Sequence, residues 1–365
     1  MTSLTIILVT SAISLFAMLA LIKCAPRWHL LDHPGGRKDH AASTPVVGGL
    51  AVAVTLLLSL AWMMPANALA MAVAVILLMA LGVTDDIHEV APLPKFIAQS
   101  CAGLVMIYFG HVELRNVGNL VGRGDIGFWV LAVPMTLFAT IGVINAINMA
   151  DGMDGHSGII ILVALIAYAF VARESGLWDQ YKTLLALVGA MTIFLFFNLR
   201  MPWANRAAVF LGDSGSMLLG FLLAWFAIDL SSGISSGLSS DLMASKNIGV
   251  MTRTFPPICA LWVLVIPLCD CVSLMLRRKK AGKSPFVADR QHLHHFLQAR
   301  GLSVVQANLL ILAASIVCAG IGVGGWKLGV PQPVLFAIFV ALFVGYHKFM
   351  SDYFRVRDVM TIAMK

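Results

Sequence analysis

The sequence predicts an all-α polytopic membrane protein, and three observations carry that prediction. Hydrophobic residues make up 59% of the 365 positions, whereas charged residues make up only 12%, about half of the share in a typical soluble domain. The mean hydropathy is +0.89, and the apolar residues are gathered in runs long enough to cross a bilayer. The six cysteines lie in or beside these runs without the spacing of a metal site, so we expect no disulfides.

Eleven apolar runs are predicted to be spanning helices, since about 17–25 residues cross the hydrocarbon core. The first run is longer than the core of a signal peptide needs to be, so we expect it to be retained. There is no detectable repeat or soluble domain, and residues 1–365 are predicted to form a single integral-membrane domain. The predicted spans are roughly 4–23, 46–63, 67–84, 94–110, 127–149, 157–172, 183–199, 208–229, 255–276, 304–325 and 331–350.

The orientation follows from the uneven distribution of positive charge between the two sides. With these spans, 18 of the 25 Lys and Arg residues fall on the side that holds the loop between the first two helices and the C-terminal tail. That side is predicted to be cytoplasmic, which places the N-terminus in the periplasm and the C-terminus in the cytoplasm. The net charge of +7 is explained in this way, and we expect no nucleic-acid partner.

Two polar clusters border the second and third spans. The basic run at 37–40 precedes Gly48 and Gly49, and it suits either phosphate binding or cytoplasmic anchoring. Asp85 and Asp86 end the third span, and Lys95 opens the fourth. Adjacent carboxylates repel each other, and the helix macrodipole disfavours them at a C-terminus. A functional role is therefore favoured over a solvated helix end.

The stretch at 145–155 reads N-A-I-N-M-A-D-G-M-D-G and ends the fifth span. Asn145 and Asn148 are three apart, so they share one helix face. Asp151 and Asp154 are each followed by Gly, which lets the backbone turn and approach a ligand. A plain turn explains one Asp-Gly pair, but it does not explain two of them beside two amides at membrane depth.

The start of the eighth span carries Gly-Asp-Ser-Gly-Ser at 212–216. Backbone N–H groups at a helix N-terminus suit phosphate, and the carboxylate of Asp213 suits a hard cation such as Mg²⁺. The alternative, which is compatible with the first, is that Asp213 or Ser214 caps the helix.

The last cluster, at 284–295, reads S-P-F-V-A-D-R-Q-H-L-H-H and follows a basic run at 277–283. Its candidate binding residues for a sugar diphosphate are Arg290, His292, His294 and His295. Zinc is conceivable from histidine alone. We prefer Mg²⁺, because the aspartate clusters supply the oxygen ligands that it favours. All five clusters fall in or beside predicted cytoplasmic loops.

Taken together, these motifs resemble the polyprenyl-phosphate N-acetylhexosamine-1-phosphate transferase superfamily. The resemblance covers about residues 30 to 300 and rests on the Asp-Asp pair, N-x-x-N-x-x-D-G-x-D-G, G-D-S-G-S and D-R-Q-H-L-H-H in that order. The last motif is most similar to the bacterial branch that transfers N-acetylglucosamine-1-phosphate.

The resemblance implies a reaction in the bacterial inner membrane, with an active site facing the cytoplasm. Undecaprenyl phosphate attacks the β-phosphate of UDP-GlcNAc, UMP leaves, and undecaprenyl-diphospho-GlcNAc remains to prime a surface polysaccharide such as O-antigen. Mg²⁺ is the implied cofactor, and Mn²⁺ is the substitute that we consider. Inner-membrane lipids are expected to surround the protein, and the family often forms homodimers.

The resemblance also implies roles for individual residues. Asp85, Asp86, Lys95 and Asp213 are the expected catalytic residues, and Asp213 with Asn148 is the expected metal site. Asn145, Asp151 and Asp154 would bind substrate, together with Arg290 and the three histidines of the last cluster.

Two alternatives stay open at this point. The first is the same chemistry with another UDP-N-acetylhexosamine. The second is a transporter, because intramembrane acids and amides also mark ion and substrate paths. Against transport, the polar clusters gather at one face, and no inverted repeat or helix broken at its middle is evident.

Overall fold

The computed structural model describes residues 2–32, 43–200, 206–232, 255–284 and 291–363, with side chains up to residue 356. Helices make up nearly all of the regular structure in the described chain. A two-residue antiparallel pair, β1 (Leu31–Asp32) with β2 (Thr44–Pro45), and a 3₁₀ turn (Trp129–Leu131) complete its regular structure. The helices are α1 (Ser3–Cys24), α2 (Gly48–Met63), α3 (Ala68–His88), α4 (Pro92–Tyr108), α5 (Ala132–Ala150), α6 (His156–Glu174), α7 (Trp178–Asn198), α8 (Gly212–Ser232), α9 (Pro257–Val263), α10 (Val265–Lys280), α11 (Leu293–Ala299), α12 (Val304–Leu328) and α13 (Gln332–Ala363).

Each of the eleven predicted spans coincides with a described helix, and the ninth coincides with two. That span consists of α9 and α10, which meet at an angle of 84°. Eight single helices in the described chain are long and apolar enough to cross a membrane, or nine spans if the bent pair counts as one. The all-α multi-pass architecture is therefore confirmed.

The two remaining predicted spans, α2 and α4, are short. They have 16 and 17 residues, which is about 24–26 Å of helix against a hydrocarbon core of about 30 Å. Both helices nevertheless run between opposite ends of the bundle. Gly49 at the start of α2 lies against Gly215, near the start of α8. Gly110, just after α4, lies against Trp225, which is nearly three turns further along α8 than Gly215.

Helix α8 is the centre of the bundle. In its most apolar 18-residue window, 89% of the residues are buried, compared with 22% for α1 and 11% for α13. Helices α2, α3, α5 and α6 pack around it. This burial holds the N-terminal turn of α8, with the Gly-Asp-Ser-Gly-Ser motif, at the place where the polar ends of its neighbours converge.

Glycine permits the closest of these contacts. A methyl group on Gly82 of α3 would overlap Ser214 Cα and would lie 2.7 Å from Ser214 Cβ. The same group on Gly49 of α2 would overlap the backbone of Gly215 and would lie 3.0 Å from the carbonyl oxygen of Leu211. Helices α2 and α3 therefore hold the first turn of α8 from two sides, at backbone distance.

Candidate active site

Asp86 caps the N-terminus of α8 from a different helix. Its Oδ1 accepts a hydrogen bond from the backbone N–H of Asp213 at 2.7 Å, and its Oδ2 accepts one from Ser214 N–H at 3.3 Å. The carboxylate thus lies at the positive end of the α8 macrodipole, which offsets its unfavourable place in the last turn of α3. The cap predicted for Asp213 or Ser214 is supplied by Asp86 instead.

Gly212 makes this cap possible. Its φ of +80° lies in the left-handed region that glycine adopts without strain. A Cβ at this position would also lie 2.8 Å from Asp86 Oδ2. The first glycine of the motif therefore leaves room for the carboxylate of α3.

Asp85, Lys95 and Asp213 form a charged row at the mouth of the site. Lys95 Nζ lies 2.5 Å from Asp85 Oδ2 and 3.7 Å from Asp213 Oδ2. Asp85 Oδ1 accepts a hydrogen bond from Val90 N–H at 2.7 Å. The side chain of Asp85 is 1% exposed, whereas that of Asp213 is 45% exposed. Of these two carboxylates, Asp213 is the one open to a ligand.

The two asparagines of α5 have different partners. Asn148 Nδ2 donates to Asp213 Oδ1 and to Ser216 Oγ, each at 2.8 Å. Asn145, one turn deeper, donates to the carbonyl of Ile141 at 2.8 Å and to Gln99 Oε1 at 3.3 Å. The structure therefore brings Asn148 to the predicted metal site and directs Asn145 toward α4.

Asp151 and Asp154 also differ in their surroundings. Ser157 Oγ donates to Asp151 Oδ1 at 2.5 Å. Burial raises the pKa of Asp151 to about 7, and the negative charges of Asp213 and Asp154 add to this, against the lowering effect of Ser157. Asp151 is therefore close to its midpoint of ionisation at neutral pH.

Asp154 braces the loop between α5 and α6. Its Oδ2 accepts hydrogen bonds from Arg200 Nε at 2.7 Å and from Ala207 N–H at 3.3 Å. Its backbone carbonyl accepts one from Asn308 of α12 at 2.7 Å. These bonds fix the Asp-Gly loop to the end of α7 and to α12, and contact of Asp154 with a nucleotide stays a prediction.

The histidine cluster lies over the same loop. The rings of His292 and His294 stack, with centroids 5.5 Å apart, and His295 lies 4.1 Å from His294. A Cβ on Gly152 would be 2.5 Å from His294 Nε2, so the ring rests directly on the Asp-Gly loop. Burial lowers the pKa of His294 to about 2, and its histidine neighbours add to this. His294 is therefore neutral at physiological pH.

Arg290 and the basic run at 37–40 lie outside the described residues. Gly48 and Gly49 lie inside them and pack against Phe210 and Gly215, as expected for glycines at helix contacts.

Sequence reasoning missed two residues of this region, His156 and Asn198. His156 is 2% exposed, its ring is 5.4 Å from that of His294, and its Nδ1 has no hydrogen-bond partner among the described residues. Asn198 accepts from Gly155 N–H and donates to the carbonyl of Val209, both at 2.8 Å. A polar residue that directly follows the Asp-Gly motif, or that ends an apolar run, is the signal that would have identified them.

The arrangement suits phosphate chemistry with a hard cation. No group of three or more His, Cys, Asp or Glu side chains in the described chain could hold a metal ion. Mg²⁺, however, is usually bound by one or two carboxylates together with substrate phosphates and water. The partly exposed side chain of Asp213, beside Lys95, fits that mode of binding.

Comparisons with known proteins give similarity along most of the chain. A family model described as glycosyl transferase family 4 matches residues 68–231. A protein of Escherichia coli (strain K12), named undecaprenyl-phosphate alpha-N-acetylglucosaminyl 1-phosphate transferase, is 32% identical over 346 residues, which cover 92% of this chain and 89% of the relative. Proteins with the same name from Yersinia pestis and Haemophilus influenzae are 30% and 32% identical, over 94% and 93% of this chain and 91% and 92% of the relatives.

Proposed function

Since the chain belongs to glycosyl transferase family 4, together with these undecaprenyl-phosphate transferases, we propose that it transfers GlcNAc-1-phosphate from UDP-GlcNAc to undecaprenyl phosphate. An oxygen of the lipid phosphate forms a bond to the β-phosphorus of UDP-GlcNAc. The bond from that phosphorus to the bridging oxygen breaks, and UMP leaves with the electron pair. The product, undecaprenyl-diphospho-GlcNAc, stays in the membrane and primes a surface polysaccharide.

The exposed carboxylate of Asp213 is the observation that carries this proposal. It stands at the N-terminus of α8, 3.7 Å from the ammonium of Lys95. Phosphoryl transfer needs positioning and neutralisation of charge more than it needs covalent participation by the protein. A carboxylate for a cation, a lysine for phosphate and a helix N-terminus meet these needs in one place.

Mg²⁺ would be held by Asp213, with Asn148 assisting, and Mn²⁺ would substitute for it. When bound, the cation neutralises charge on the diphosphate. Asn148 donates to Asp213 Oδ1, so it orients the carboxylate and leaves Oδ2 to face the substrate. The donor set consists of oxygens, as Mg²⁺ prefers.

The other residues bind and orient the substrates. Lys95 meets a phosphate oxygen, while its contact with Asp85 fixes the position of its ammonium group. His294 is neutral, so it contributes hydrogen bonds to the sugar diphosphate rather than positive charge. Asp86 acts through α8, because both of its oxygens are engaged by backbone N–H groups.

The site opens toward the cytoplasm, where UDP-sugars are made. This assignment rests on the distribution of Lys and Arg, which predicts that the ends of α3, α5 and α10 are cytoplasmic. The multi-pass protein would then lie in the bacterial inner membrane and form undecaprenyl-diphospho-GlcNAc in the inner leaflet.

A transfer assay tests the proposal. Purified protein is incubated with undecaprenyl phosphate, Mg²⁺ and radiolabelled UDP-GlcNAc, and both the labelled lipid and UMP are measured. Asp213→Ala is expected to lower the rate at least 100-fold, as is removal of Mg²⁺. Asp179→Ala, which changes an exposed carboxylate at the opposite end of the bundle, is expected to leave the rate within twofold.

Other outcomes of the same assay are informative. Product from UDP-GalNAc but not from UDP-GlcNAc would keep the chemistry and change the sugar. Full activity in Asp213→Ala would move the metal site elsewhere. Folded protein that makes no product from any UDP-sugar would contradict the proposed transfer.

A further inference from the structure

Asp270 is a buried carboxylate in α10 that the proposed reaction does not use. It is 5% exposed and accepts hydrogen bonds from three groups. His292 Nδ1 lies 3.0 Å from Oδ2, while Leu293 N–H and the Tyr346 hydroxyl lie 3.1 Å and 2.6 Å from Oδ1. The carboxylate therefore joins α10, the start of α11 and α13.

A carboxylate at this depth is costly unless its oxygens are satisfied. Here the bonds are divided so that one oxygen serves the backbone and the tyrosine, and the other serves the histidine alone. The backbone bond and the tyrosine fix the carboxylate in place. The other oxygen, Oδ2, then serves only to hold the ring of His292.

The contact fixes which nitrogen of His292 carries hydrogen. An ionised carboxylate only accepts hydrogen bonds, so Nδ1 must carry a proton. Nε2 is then the nitrogen left for another partner. In metal sites and hydrolases, a carboxylate behind a histidine sets its tautomer and orientation in this way.

The orientation of His292 is passed on to the Asp-Gly loop. His292 and His294 stack with their planes 7° from parallel, and His294 rests on Gly152. The residue before His292 is held as well, because Arg277 Nη2 donates to the carbonyl of Gln291 at 2.7 Å. The histidine cluster is thus fixed to α10 at two points, Asp270 and Arg277, which are about two turns apart.

We propose that Asp270 is a positioning residue that holds His292 with Nδ1 protonated and Nε2 directed to the substrate. The inference rests on the proposed transferase function for its effect on rate. Its effect on the histidine itself does not depend on that function.

The sharpest variant is Asp270→Asn, which keeps the size of the side chain. The amide oxygen still accepts from Leu293 and Tyr346, but the amide nitrogen donates to His292 and so forces the proton onto Nε2. The expected result is a 10- to 100-fold lower kcat for UDP-GlcNAc, the range found when a group that orients a histidine is lost. Tyr346→Phe removes a bond to the other oxygen and is expected to stay within threefold of the wild type.

A spectroscopic measurement separates positioning from folding. The ¹⁵N shifts of labelled histidines report which ring nitrogen is protonated, and the signal of His292 is identified by its loss in His292→Gln. The wild type is expected to show a proton on Nδ1, and Asp270→Asn a neutral ring with its proton on Nε2. A wild-type ring protonated only on Nε2 would overturn the inference, whether or not the variant folds and whichever sugar is transferred.

A double-mutant cycle closes the test. If Asp270 acts through His292, Asp270→Asn in the background of His292→Gln costs no more than threefold in rate. Losses that multiply in full would show that the two residues act independently and would refute the positioning role. His292→Asn, which keeps a donor toward Asp270 but lacks Nε2, is expected to fold and to lose as much activity as Asp270→Asn.

Discussion

Asp213 is the residue at which the elements of the site meet. Its carboxylate accepts a hydrogen bond from Asn148 of α5 and lies near the ammonium group of Lys95 of α4. Its backbone N–H donates to the carboxylate of Asp86 of α3. Its role depends on these neighbours, because Asn148 holds one carboxylate oxygen while the side chain as a whole stays 45% exposed.

Asn148→Ala tests the support of Asp213. Loss of the two hydrogen bonds that Asn148 donates leaves the carboxylate free to rotate, so we expect kcat/KM to fall 10- to 100-fold. We also expect half-maximal activity to need a higher Mg²⁺ concentration. Asn145→Ala, one turn deeper on the same face, is the matched control and should leave the Mg²⁺ requirement unchanged. A common shift in both variants would mean that the asparagines only stabilise α5.

Asp151 predicts a pH dependence of stability. Its folded pKa is raised from 3.8 to about 7, so the folded state binds the additional proton between those values. Its contribution to stability is therefore complete below about pH 4 and is lost as the pH rises through 7. The melting temperature of Asp151→Asn minus that of the wild type should increase from pH 5 to pH 8, measured by thermal unfolding in detergent.

Ser157→Ala is expected to change the pH dependence of stability in the opposite direction to Asp151→Asn. The serine hydroxyl stabilises the ionised form of Asp151. Its removal should make the loss of stability with rising pH steeper than in the wild type. If the melting temperatures of Asp151→Asn and the wild type differ by the same amount at pH 5 and pH 8, then Asp151 is already ionised at pH 5.

At the residue level, the sequence indicated which side chains carry the chemistry, but not which residues they contact. Carboxylates and amides in an apolar chain predicted the site, and the structure brings Asp85, Asp213 and Asn148 together. The sequence could not show that Asp86 caps a helix more than 120 positions away. That contact depends on the packing of α3 against α8, and periodicity carries no information about it.

The N-terminal turn of α8 is set by the elements around it. Helix α3 was predicted to end at residue 84, but it continues to His88, where Glu89 has a φ of +48°. Asp85 and Asp86 therefore lie within the last turn of the helix, as their predicted place at its end implies. Their positions relative to α8 are therefore as fixed as the packing of the two helices.

Gly82→Ala tests this packing. The new methyl group would overlap the backbone of Ser214, which cannot move as a flexible side chain can. We expect a loss of about 3 kcal/mol or more, at the upper end of the usual cost of overpacking, and little remaining transferase activity. Gly142→Ala in α5 is the control, because a Cβ there meets nothing within 4 Å, and it should be neutral or stabilising by up to about 1 kcal/mol. Thermal unfolding in detergent measures both variants.

The break between α9 and α10 contradicts the expectation that no span is broken at its middle. The apolar run at 255–276 is predicted to be a single span, but its two helices meet at 84° around Leu264. Apolarity alone reports length and not direction, but Pro267, three residues after the break, is a signal in the sequence, because proline has no N–H to donate to the preceding turn. After the bend, α10 carries Asp270 to His292 and Arg277 to the carbonyl of Gln291.

The whole molecule places its polar clusters at one end of the bundle. Helices α3 and α5 end there, while α2 and α8 begin there, as an alternating up-and-down arrangement requires. The sequence predicted this gathering from the number of spans and the distribution of charge, because both are properties of the entire chain.

The predicted orientation can be tested by labelling. Arg123→Cys lies in the loop between α4 and α5, and Lys283→Cys follows α10, and both positions are exposed. A membrane-impermeant maleimide should label Arg123→Cys in spheroplasts and Lys283→Cys only in inverted vesicles, with the unsubstituted chain as the background. The reverse pattern would invert the topology. Labelling of both sites from the same side would show that the number of spans between them is even, not odd as predicted.

The cap on α8 has a consequence for the biogenesis of the protein. Asp86 accepts a hydrogen bond from the N–H of Asp213, which lies 127 positions further along the chain. The ribosome needs roughly 6–25 s to synthesise that stretch at common rates. During that interval the nascent chain holds two adjacent acids at a helix end that repels them. The eighth helix is the partner that stabilises Asp86, and it also completes the site. A chain released before this helix enters the membrane is therefore both inactive and unstable. The missing helix is the cause of both, so quality control can recognise and remove the inactive chain by its instability.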